Sequence, residues 1–331
     1  MKKQIHQLVG YLIGIMIFAC IVPVQSEEVG RGGYAGSYLR MGLGARALAM
    51  GGSAVSLADD GYAAYYNPAA LAFLENRWVT ATLNNMALDR QIAYLGFATS
   101  LGKHTEEEMK PGMMQAGFAI GWLSAGVDNI DSRGYDGEDL GTLSTSEHCF
   151  YFSFAMKPGP KVAIGFSGKL LYHRFPGIKD DGGALSATGF GFDMAMLVRP
   201  IEPLSIGLSV RDIWSKYTWD SQDLYEQGTQ TVDEFLKVVQ AGASWRTWQN
   251  RLLISADIEK VEYYPANLLA GIELNAMENV YLRGGFRKDS PTFGLGYLLN
   301  ARGHFFKLEY AYASDPVAPS ANHIMTWSYR F

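Results

Sequence analysis

Apolar and polar residues alternate with a period of two over most of the chain beyond residue 77. In the segment 161–172, for example, Val162 and Phe166 fall on one face of an extended chain, whereas Gly165 and Lys169 fall on the other. Successive side chains of a β-strand point to opposite faces of the sheet. The pattern therefore predicts strands with one apolar face and one face of small or charged residues.

The alternating segments number fourteen, and each is about ten residues long. They are 78–88, 91–101, 113–124, 146–157, 161–172, 187–199, 203–214, 238–247, 250–261, 267–276, 279–287, 292–300, 305–314 and 322–331. A tilted strand of roughly 9–11 residues crosses a hydrocarbon core, whereas strands of soluble domains average about five or six. The predicted fold is therefore all-β, a 14-stranded antiparallel transmembrane β-barrel formed by residues 78–331.

The connections between these segments differ in length. The three longest are 125–145, 173–186 and 215–237, and they occupy the third, fifth and seventh positions along the chain. Outer-membrane barrels have short periplasmic turns and longer outer loops. If both ends of the barrel are periplasmic, all three long connections lie outside. The connections 125–145 and 215–237 are rich in acidic residues. We expect these residues to form a solvated surface, and a loose calcium site is the alternative.

The polar faces of the strands distinguish a membrane barrel from a soluble one. A soluble sandwich or enclosed barrel would also alternate, but its apolar face would point inward. Many charged residues fall on the polar faces, which favours a wide, wet lumen in which they pair. The candidates for lining that lumen are Lys169, Asp193, Arg211, Asp257, Glu259, Glu273, Arg283, Lys307 and Glu309.

Aromatic residues are expected to mark the two membrane interfaces. The tryptophans near the predicted inner rim are Trp78, Trp245, Trp248 and Trp327, and the rings near the outer rim are Trp122, Trp214 and Tyr172. Rings at these two levels indicate the aromatic girdles of a membrane barrel. The chain ends on an alternating strand with Phe331, which resembles the assembly signal of bacterial outer-membrane barrels.

The composition excludes several other classes of protein. The chain has 331 residues, of which 37 are glycine, 13% are aromatic and 18% are charged, with a formal net charge of −5. A nucleic-acid binder is expected to be basic, and a disordered chain is expected to be far less apolar than the 48% found here. After residue 27 no stretch reaches the 18 apolar residues that a membrane-spanning helix needs.

Residues 1–26 have the features of a signal peptide. Lys2 and Lys3 precede an apolar stretch, and small residues before Ser26 predict cleavage after that residue. A retained membrane helix and a lipoprotein signal ending at Cys20 are the alternatives. Cleavage would leave Cys149 as the single cysteine, which excludes an intramolecular disulfide.

We expect no cofactor, no metal site and no enzymatic activity. The histidines outside the signal peptide show no metal-ligand spacing, and no G-x-S-x-G motif is present. The run 42–47 superficially matches a dinucleotide-binding fingerprint, but no strand precedes it, so we interpret the match as accidental.

Residues 27–77 do not alternate and are rich in Gly and Ala. They contain the runs 39–47, 50–54, 58–60 and 65–71. These runs resemble the N-terminal region of the PorV/PorQ branch of the FadL-like outer-membrane proteins. The resemblance is specific over about residues 37–75 and implies a 14-stranded barrel whose N-terminal segment, 27–77, folds inside the lumen as a hatch or plug.

Local chemistry in the expected hatch supports a compact structure. Asn67 can cap a short helix over residues 69–74, with Pro68 at its first position. The residues proposed for a hatch or gate are Asn67, Pro68, Gly51, Gly52, Asp59 and Asp60. A purely structural plug and a gate or ligand site both remain open at this stage.

The resemblance also implies a function at the outer membrane of a Gram-negative-type bacterium. For FadL it implies the uptake of hydrophobic compounds, and for PorV the binding of exported proteins in type IX secretion. The expected partners are outer-membrane lipid, the barrel assembly machinery, and a hydrophobic small molecule or an exported protein cargo, with no nucleic acid. Binding or passage of hydrophobic substrates is the favoured function, and a cargo shuttle or attachment role is the alternative.

Overall fold

A computed structural model describes most of the barrel and much of the segment that precedes it. The described residues are 34–57, 59–101, 115–178, 182–222, 228–287, 290–301, 304–314 and 321–331. The expected signal peptide, 1–26, and the beginning of the expected hatch, 27–33, lie outside these ranges.

Sixteen strands lie within the described residues, and fourteen of them close into a barrel. The strands are β1 (Trp78–Met86), β2 (Arg90–Leu101), β3 (Gln115–Arg133), β4 (Asp139–Gly159), β5 (Val162–Phe175), β6 (Leu185–Ile201), β7 (Leu204–Ile213), β8 (Lys216–Asp220), β9 (Gln230–Glu234), β10 (Val238–Thr247), β11 (Leu252–Val261), β12 (Asn267–Met277), β13 (Val280–Arg287), β14 (Ser290–Ala301), β15 (His304–Ser314) and β16 (Ala321–Arg330). Neighbouring strands are antiparallel, and β7 pairs directly with β10. The predicted 14-stranded antiparallel barrel is confirmed.

The barrel closes where its first and last strands meet. β1 pairs with β2 on one side and with β16 on the other, and Trp78 lies opposite Arg330. The main chains of Arg77 and Phe331 extend this ladder, because each N–H donates to the other's carbonyl oxygen at 3.1 Å. Closure leaves the fourteen-stranded wall without a free edge.

The two faces of the wall differ as the alternation predicts. Large apolar side chains such as Leu83, Leu95 and Phe152 are about half exposed on the outer face. Polar side chains of the inward positions, such as Thr80 and Ser167, are buried. The exposed large apolar side chains thus point outward, as the membrane-barrel prediction requires, whereas a soluble barrel would turn its apolar face inward.

The two ends of the barrel carry different connections. We call the end at which β1 begins and β16 ends the terminal rim, and the opposite end the far rim. The terminal rim has tight turns, such as those at 202–203 and 248–251. At the far rim, β3 and β4 extend to a turn at 134–138.

Two of the expected long loops contain strands. The region 125–145 belongs mostly to β3 and β4, and 215–237 contains the hairpin of β8 and β9. β8 also pairs with β6 at the far rim. Beyond a membrane both faces of a sheet meet water, so pairing there continues without the alternation that identified the other strands.

One member of the expected inner girdle is inside the barrel. Trp78 is only 6% exposed and belongs to a buried cluster, whereas Trp245 and Trp327 are exposed on the outer face. Trp78 falls on the inward set of β1 together with Thr80 and Thr82. Its position along the chain was predicted correctly, but the side of the wall was not.

Short helices occur in residues 34–77. They are a 3-10 turn at Ser37–Arg40, α1 (Ala45–Ala49), α2 (Ala63–Tyr66) and a 3-10 helix at Pro68–Phe73. None of the helices in the described part of the chain is long and apolar enough to cross a membrane.

Deletion of Phe331 should lower the amount of assembled barrel in the membrane. The deletion removes the terminal ring expected to signal assembly and two main-chain bonds with Arg77. The measurement is the heat-modifiable band of membrane fractions, with Phe331→Trp as the matched control that keeps a terminal aromatic ring. Normal barrel levels in the deletion strain would contradict the prediction.

Candidate functional site

Residues 34–77, except Ala58, form what we call the N-terminal segment, which runs along the inside of the barrel from rim to rim. At the far rim, the ring of Tyr34 stacks on Tyr263 with centroids 5.8 Å apart. Ala35 forms a β-bridge with Phe235. At the terminal rim the segment joins β1 through Arg77.

The main chain of the N-terminal segment lies directly against glycines of the wall. A Cβ atom at Gly117, Gly165 or Gly207 would lie 2.4, 2.2 and 2.1 Å from main-chain atoms of Leu71, Ala69 and Val55, respectively. Such distances leave no room for a side chain. The small residues on the inner face therefore position the segment.

Gly51 makes the reciprocal contact from the N-terminal segment. It has φ +69°, and a Cβ there would lie 2.4 Å from the carbonyl oxygen of Phe286 and 2.7 Å from that of Ala270. Gly52 has φ +82°. A residue with a side chain would be strained at either position, and at Gly51 it would also collide with the wall.

Asn67 links three parts of the structure: the 3-10 helix that follows it, the main chain at Val55 and the wall strand β6. Its Oδ1 accepts a hydrogen bond from the N–H of Ala69 at 3.0 Å and so caps the 3-10 helix that begins at Pro68. Its Nδ2 donates to the carbonyl oxygens of Val55 at 2.7 Å and Met196 at 3.1 Å. The predicted cap is confirmed, although the helix is a 3-10 helix rather than an α-helix.

Arg46 of α1 is the centre of a buried ion-pair network, which we call the Arg46 network. Its Nε and Nη2 donate to the two carboxylate oxygens of Glu273 on β12, each at 2.8 Å. Its Nη1 donates to Asp59 at 2.7 Å and to Asp60 at 3.1 Å. Arg246 of β10 also binds Asp59. The predicted gate residues Asp59 and Asp60 therefore meet the wall through two arginines.

The carboxyl pKa values of the two aspartates are shifted in opposite directions. Burial by itself would raise the pKa of the Asp59 carboxyl, but the guanidiniums of Arg46 and Arg246 outweigh it and hold that pKa well below its ordinary value. Burial raises the pKa of Asp60, against the opposing effect of Arg46. On acidification Asp60 is the first of the two to be protonated, and Asp59 keeps its charge.

The nine predicted lumen residues all lie on the inner face and fall into separate clusters. Lys169 binds Asp193 at 2.7 Å and Asp212 at 2.8 Å. Arg211 lies 3.3 Å from Glu259. The third cluster joins the Arg46 network, with Arg283 bound to Glu273 (2.6 Å) and Glu309 (2.8 Å), and Lys307 bound to Glu309 (2.8 Å).

Asp257, the remaining predicted residue, holds the main chain of the N-terminal segment. Its Oδ2 accepts from the N–H of Val55 at 3.0 Å and from the side chain of Gln240 at 2.8 Å. Gln240 also donates to the carbonyl oxygen of Gly52 at 3.2 Å. At Asp257 and Gln240 the polar face of the wall thus binds the main chain of the segment.

Three residues of this arrangement were not selected from the sequence. Arg46 lies within the motif run 39–47 but was not predicted as a site residue, and neither were Asp212 and Gln240. A charged residue between alanines in the run 45–49 was the available signal for Arg46, because an arginine in such a compact segment needs buried partners.

Two of the cavities between the N-terminal segment and the wall border helix α1, one towards each rim. The far-rim cavity has a volume of about 310 Å³ and is bordered by Met41 and Leu48 of the segment and by Met86, Ala313 and Ile324 of the wall. None of its lining residues within the described ranges is acidic. Pockets for small ligands measure roughly 300–1,000 Å³, so the size fits a small molecule.

The terminal-rim cavity is larger and more polar. Its volume is about 440 Å³, and its lining includes Arg46, Asp59, Arg246, Glu273 and Lys307. Helix α1 borders both cavities, since Leu48 lines the first and Arg46 the second.

Helix α1 is fixed by contacts on several sides. The N–H of Ala45 donates to Thr326 at 2.9 Å, and Thr292 donates to the carbonyl oxygen of Ala49 at 2.9 Å. Ala45, Leu48 and Ala49 pack against two wall residues, Ala311 and Ile324. The helix therefore separates the two cavities along the inner faces of β14, β15 and β16.

Comparisons with known proteins show the fold. No protein-family model and no curated protein matches the sequence. The toluene transporter TodX of Pseudomonas putida is similar in structure, with a TM-score of 0.59, 13% identity, and coverage of 87% of this chain and 98% of that one. A FadL homologue of Pseudomonas aeruginosa gives a TM-score of 0.57, 10% identity, and coverage of 87% and 96%. This chain has the FadL-like 14-stranded barrel fold.

Asn67→Ala should loosen the N-terminal segment without opening the wall. The variant loses the helix cap and leaves the carbonyl oxygens of Val55 and Met196 without their donor. A lost cap alone typically costs about 1 kcal/mol. Amide hydrogen exchange over residues 63–74 should therefore accelerate by roughly fivefold or more, with exchange in β1 and β16 unchanged.

The matched control is Asn76→Ala, because Asn76 lies at the terminal rim and takes no part in the cap. Equal exchange rates in the two variants would show that Asn67 does not hold the segment.

Proposed function

We propose that this protein is an outer-membrane barrel that binds hydrophobic small molecules in the far-rim cavity and passes them through the lumen. The observation that carries the proposal is the pair of cavities on either side of helix α1. The shared fold supports it, because one similar structure is a toluene transporter and another is a FadL homologue. Neither of these is named as an enzyme, and we propose a transport role without catalysis.

In this proposal the far rim faces the exterior of the cell. Its extended β3–β4 hairpin and the additional β8–β9 hairpin contrast with the tight turns of the terminal rim. Outer-membrane barrels carry their longer connections on the outside. A molecule from outside would then meet the far-rim cavity first, and the terminal-rim cavity would lead to the periplasm.

The far-rim cavity has the chemistry of a site for a largely apolar ligand. Met41, Leu48, Met86 and Ile324 provide an apolar surface, and three arginines (Arg40, Arg90 and Arg287) line the cavity together with six smaller polar side chains. Arg287, at its edge, donates to the carbonyl oxygens of Met41 at 3.1 Å and Arg40 at 3.1 Å, and so fixes the segment beside the cavity. Apolar walls with a few oriented polar groups are typical of small-molecule sites.

The N-terminal segment is the proposed plug, and helix α1 is its gate. The segment fills the space between wall strands, and α1 separates the cavities. The Arg46 network holds that helix to β12 and to the turn at 59–60. A path between the cavities opens only if α1 moves away from β14–β16, which requires Arg46 to leave Glu273.

The narrower assignment to the PorV/PorQ branch rests on the sequence motifs of residues 37–75. The attachment or shuttle role in type IX protein secretion is the corresponding alternative function. It requires a cargo-binding surface and does not require a route through the lumen, so uptake measurements separate the two roles.

Ala313→Trp should lower uptake of the substrate. Ala313 is an inward residue of β15 that lines the far-rim cavity, and the larger ring would fill part of that volume. The measurement is uptake of labelled toluene and labelled decanoate by cells that express each variant. Tyr312→Trp is the matched control, because Tyr312 lies next in sequence and is 41% exposed on the outer face.

A reduced rate for Ala313→Trp with a normal rate for Tyr312→Trp supports transport through the lumen. The contrary result is that cells with wild-type protein or either variant take up both probes no faster than cells without the barrel. That result would contradict the transport proposal and favour the secretion role.

Arg46→Met should raise the ion conductance of the purified barrel in planar bilayers severalfold. The substitution removes the contacts of α1 with Asp59, Asp60 and Glu273 while keeping an unbranched side chain of good helix propensity. The matched control is Lys169→Met, which also removes a buried cation between two carboxylates, but within the wall alone. Equal conductance in the two variants would show that the Arg46 network does not hold the gate.

A further inference from the structure

Two arginines of the terminal-rim cavity lack the carboxylate partners that the other cations there have. Arg199 near the end of β6 and Arg330 at the end of β16 both line the cavity. Within the described part of the chain, neither guanidinium forms a salt bridge, and the Nε atom of each is buried without a hydrogen-bond acceptor. Their cationic side chains are therefore partly removed from water without a carboxylate within salt-bridge distance.

The other cations of this cavity are neutralised. Arg46 binds three carboxylates, Arg246 binds Asp59, and Lys307 binds Glu309. The remaining acidic side chains of the lining are Glu75 and Glu202, which are exposed. The partly buried charges of the lining without a bound counter-ion are thus the two arginines.

Aromatic rings hold the two unpaired guanidiniums in place. The Cζ atom of Arg199 lies 4.6 Å from the centroid of the Phe73 ring. The Cζ atom of Arg330 lies 3.8 Å from the centroid of Phe305 and 5.7 Å from that of Trp78. Stacking occupies the faces of a guanidinium and leaves its N–H edges available as donors.

We propose that the terminal-rim cavity is an oxyanion site in which Arg199 and Arg330 bind a carboxylate or a phosphate group. Planar guanidiniums bind such groups with paired, charge-assisted hydrogen bonds. In the transport role proposed above, on which this inference builds, the group is the head of a substrate that has passed α1. A free anion from the periplasm is the other source of the same chemistry.

The test measures binding to purified barrel in neutral-detergent micelles by isothermal titration calorimetry. The probes are hexyl phosphate, inorganic phosphate and hexan-1-ol, which separate the contribution of the head from that of the chain. The variant is Arg199→Gln with Arg330→Gln, and the matched control is Arg251→Gln, an exposed arginine of the same rim outside the cavity.

Wild-type protein and Arg251→Gln should bind hexyl phosphate equally, and the double variant should bind it about tenfold or more weakly. Hexan-1-ol should bind no better to wild type than to the double variant. Preference for hexyl phosphate over inorganic phosphate identifies a substrate head, and equal affinity identifies a free anion. Equal binding of hexyl phosphate by wild type and the double variant would overturn the proposal, as would absence of binding to wild type.

Two further variants keep these outcomes interpretable. Arg199→Lys with Arg330→Lys keeps both charges and should restore part of the affinity, which a merely misfolded cavity would not do. Ala313→Trp should keep wild-type affinity for hexyl phosphate, because Ala313 lies in the far-rim cavity. Normal phosphate binding without any uptake would therefore contradict the transport role and leave the oxyanion site intact.

Discussion

A buried guanidinium is costly unless counter-charges or hydrogen-bond acceptors compensate it, and in this barrel the structure of the interior depends on how Arg46 is compensated. The side chain is 4% exposed, and its partners come from two directions. Glu273 belongs to wall strand β12, whereas Asp59 and Asp60 lie in the N-terminal segment, 13 and 14 residues after Arg46. Their shared cation therefore fixes helix α1, the turn at 59–60 and β12 relative to one another.

The inner face of the wall is adapted to a filled interior. At three of the points where the main chain of the N-terminal segment touches the wall, the wall residue is glycine: Gly117, Gly165 and Gly207. Where polar main-chain groups of the segment need partners, the wall provides Asp257 and Gln240. The same inward positions that suggest a wet lumen in the sequence are thus used for close packing and pairing. The inner face therefore carries small residues for close packing and charged or polar residues for pairing.

The sequence predicted the parts of the fold that depend on a local period. Strand positions agree closely for β1 and β10, because the membrane outside and the polar interior impose alternation on every residue. The extensions of β3 and β4 could not be predicted, since sheet in water has no such constraint. The role of Arg46 depends on Glu273, 227 residues away, and no local pattern contains that pairing. Asn67 was predictable because a cap is set by adjacent residues.

The Arg46 network also determines the electrostatics of the terminal-rim cavity. Asp59 and Glu273 line that cavity, and while α1 is in place their charges are neutralised by Arg46, Arg246 and Arg283. Arg199 and Arg330 then dominate the local field. If Arg46 withdrew with α1, Asp59 and Glu273 would each lose a cation, and the cavity would become less favourable for an anion. Since coupling between two equilibria is reciprocal, an anion bound at Arg199 and Arg330 would favour the closed position of α1. The ion pairs of Arg46 therefore affect both the position of the segment and the affinity of the cavity for a substrate head.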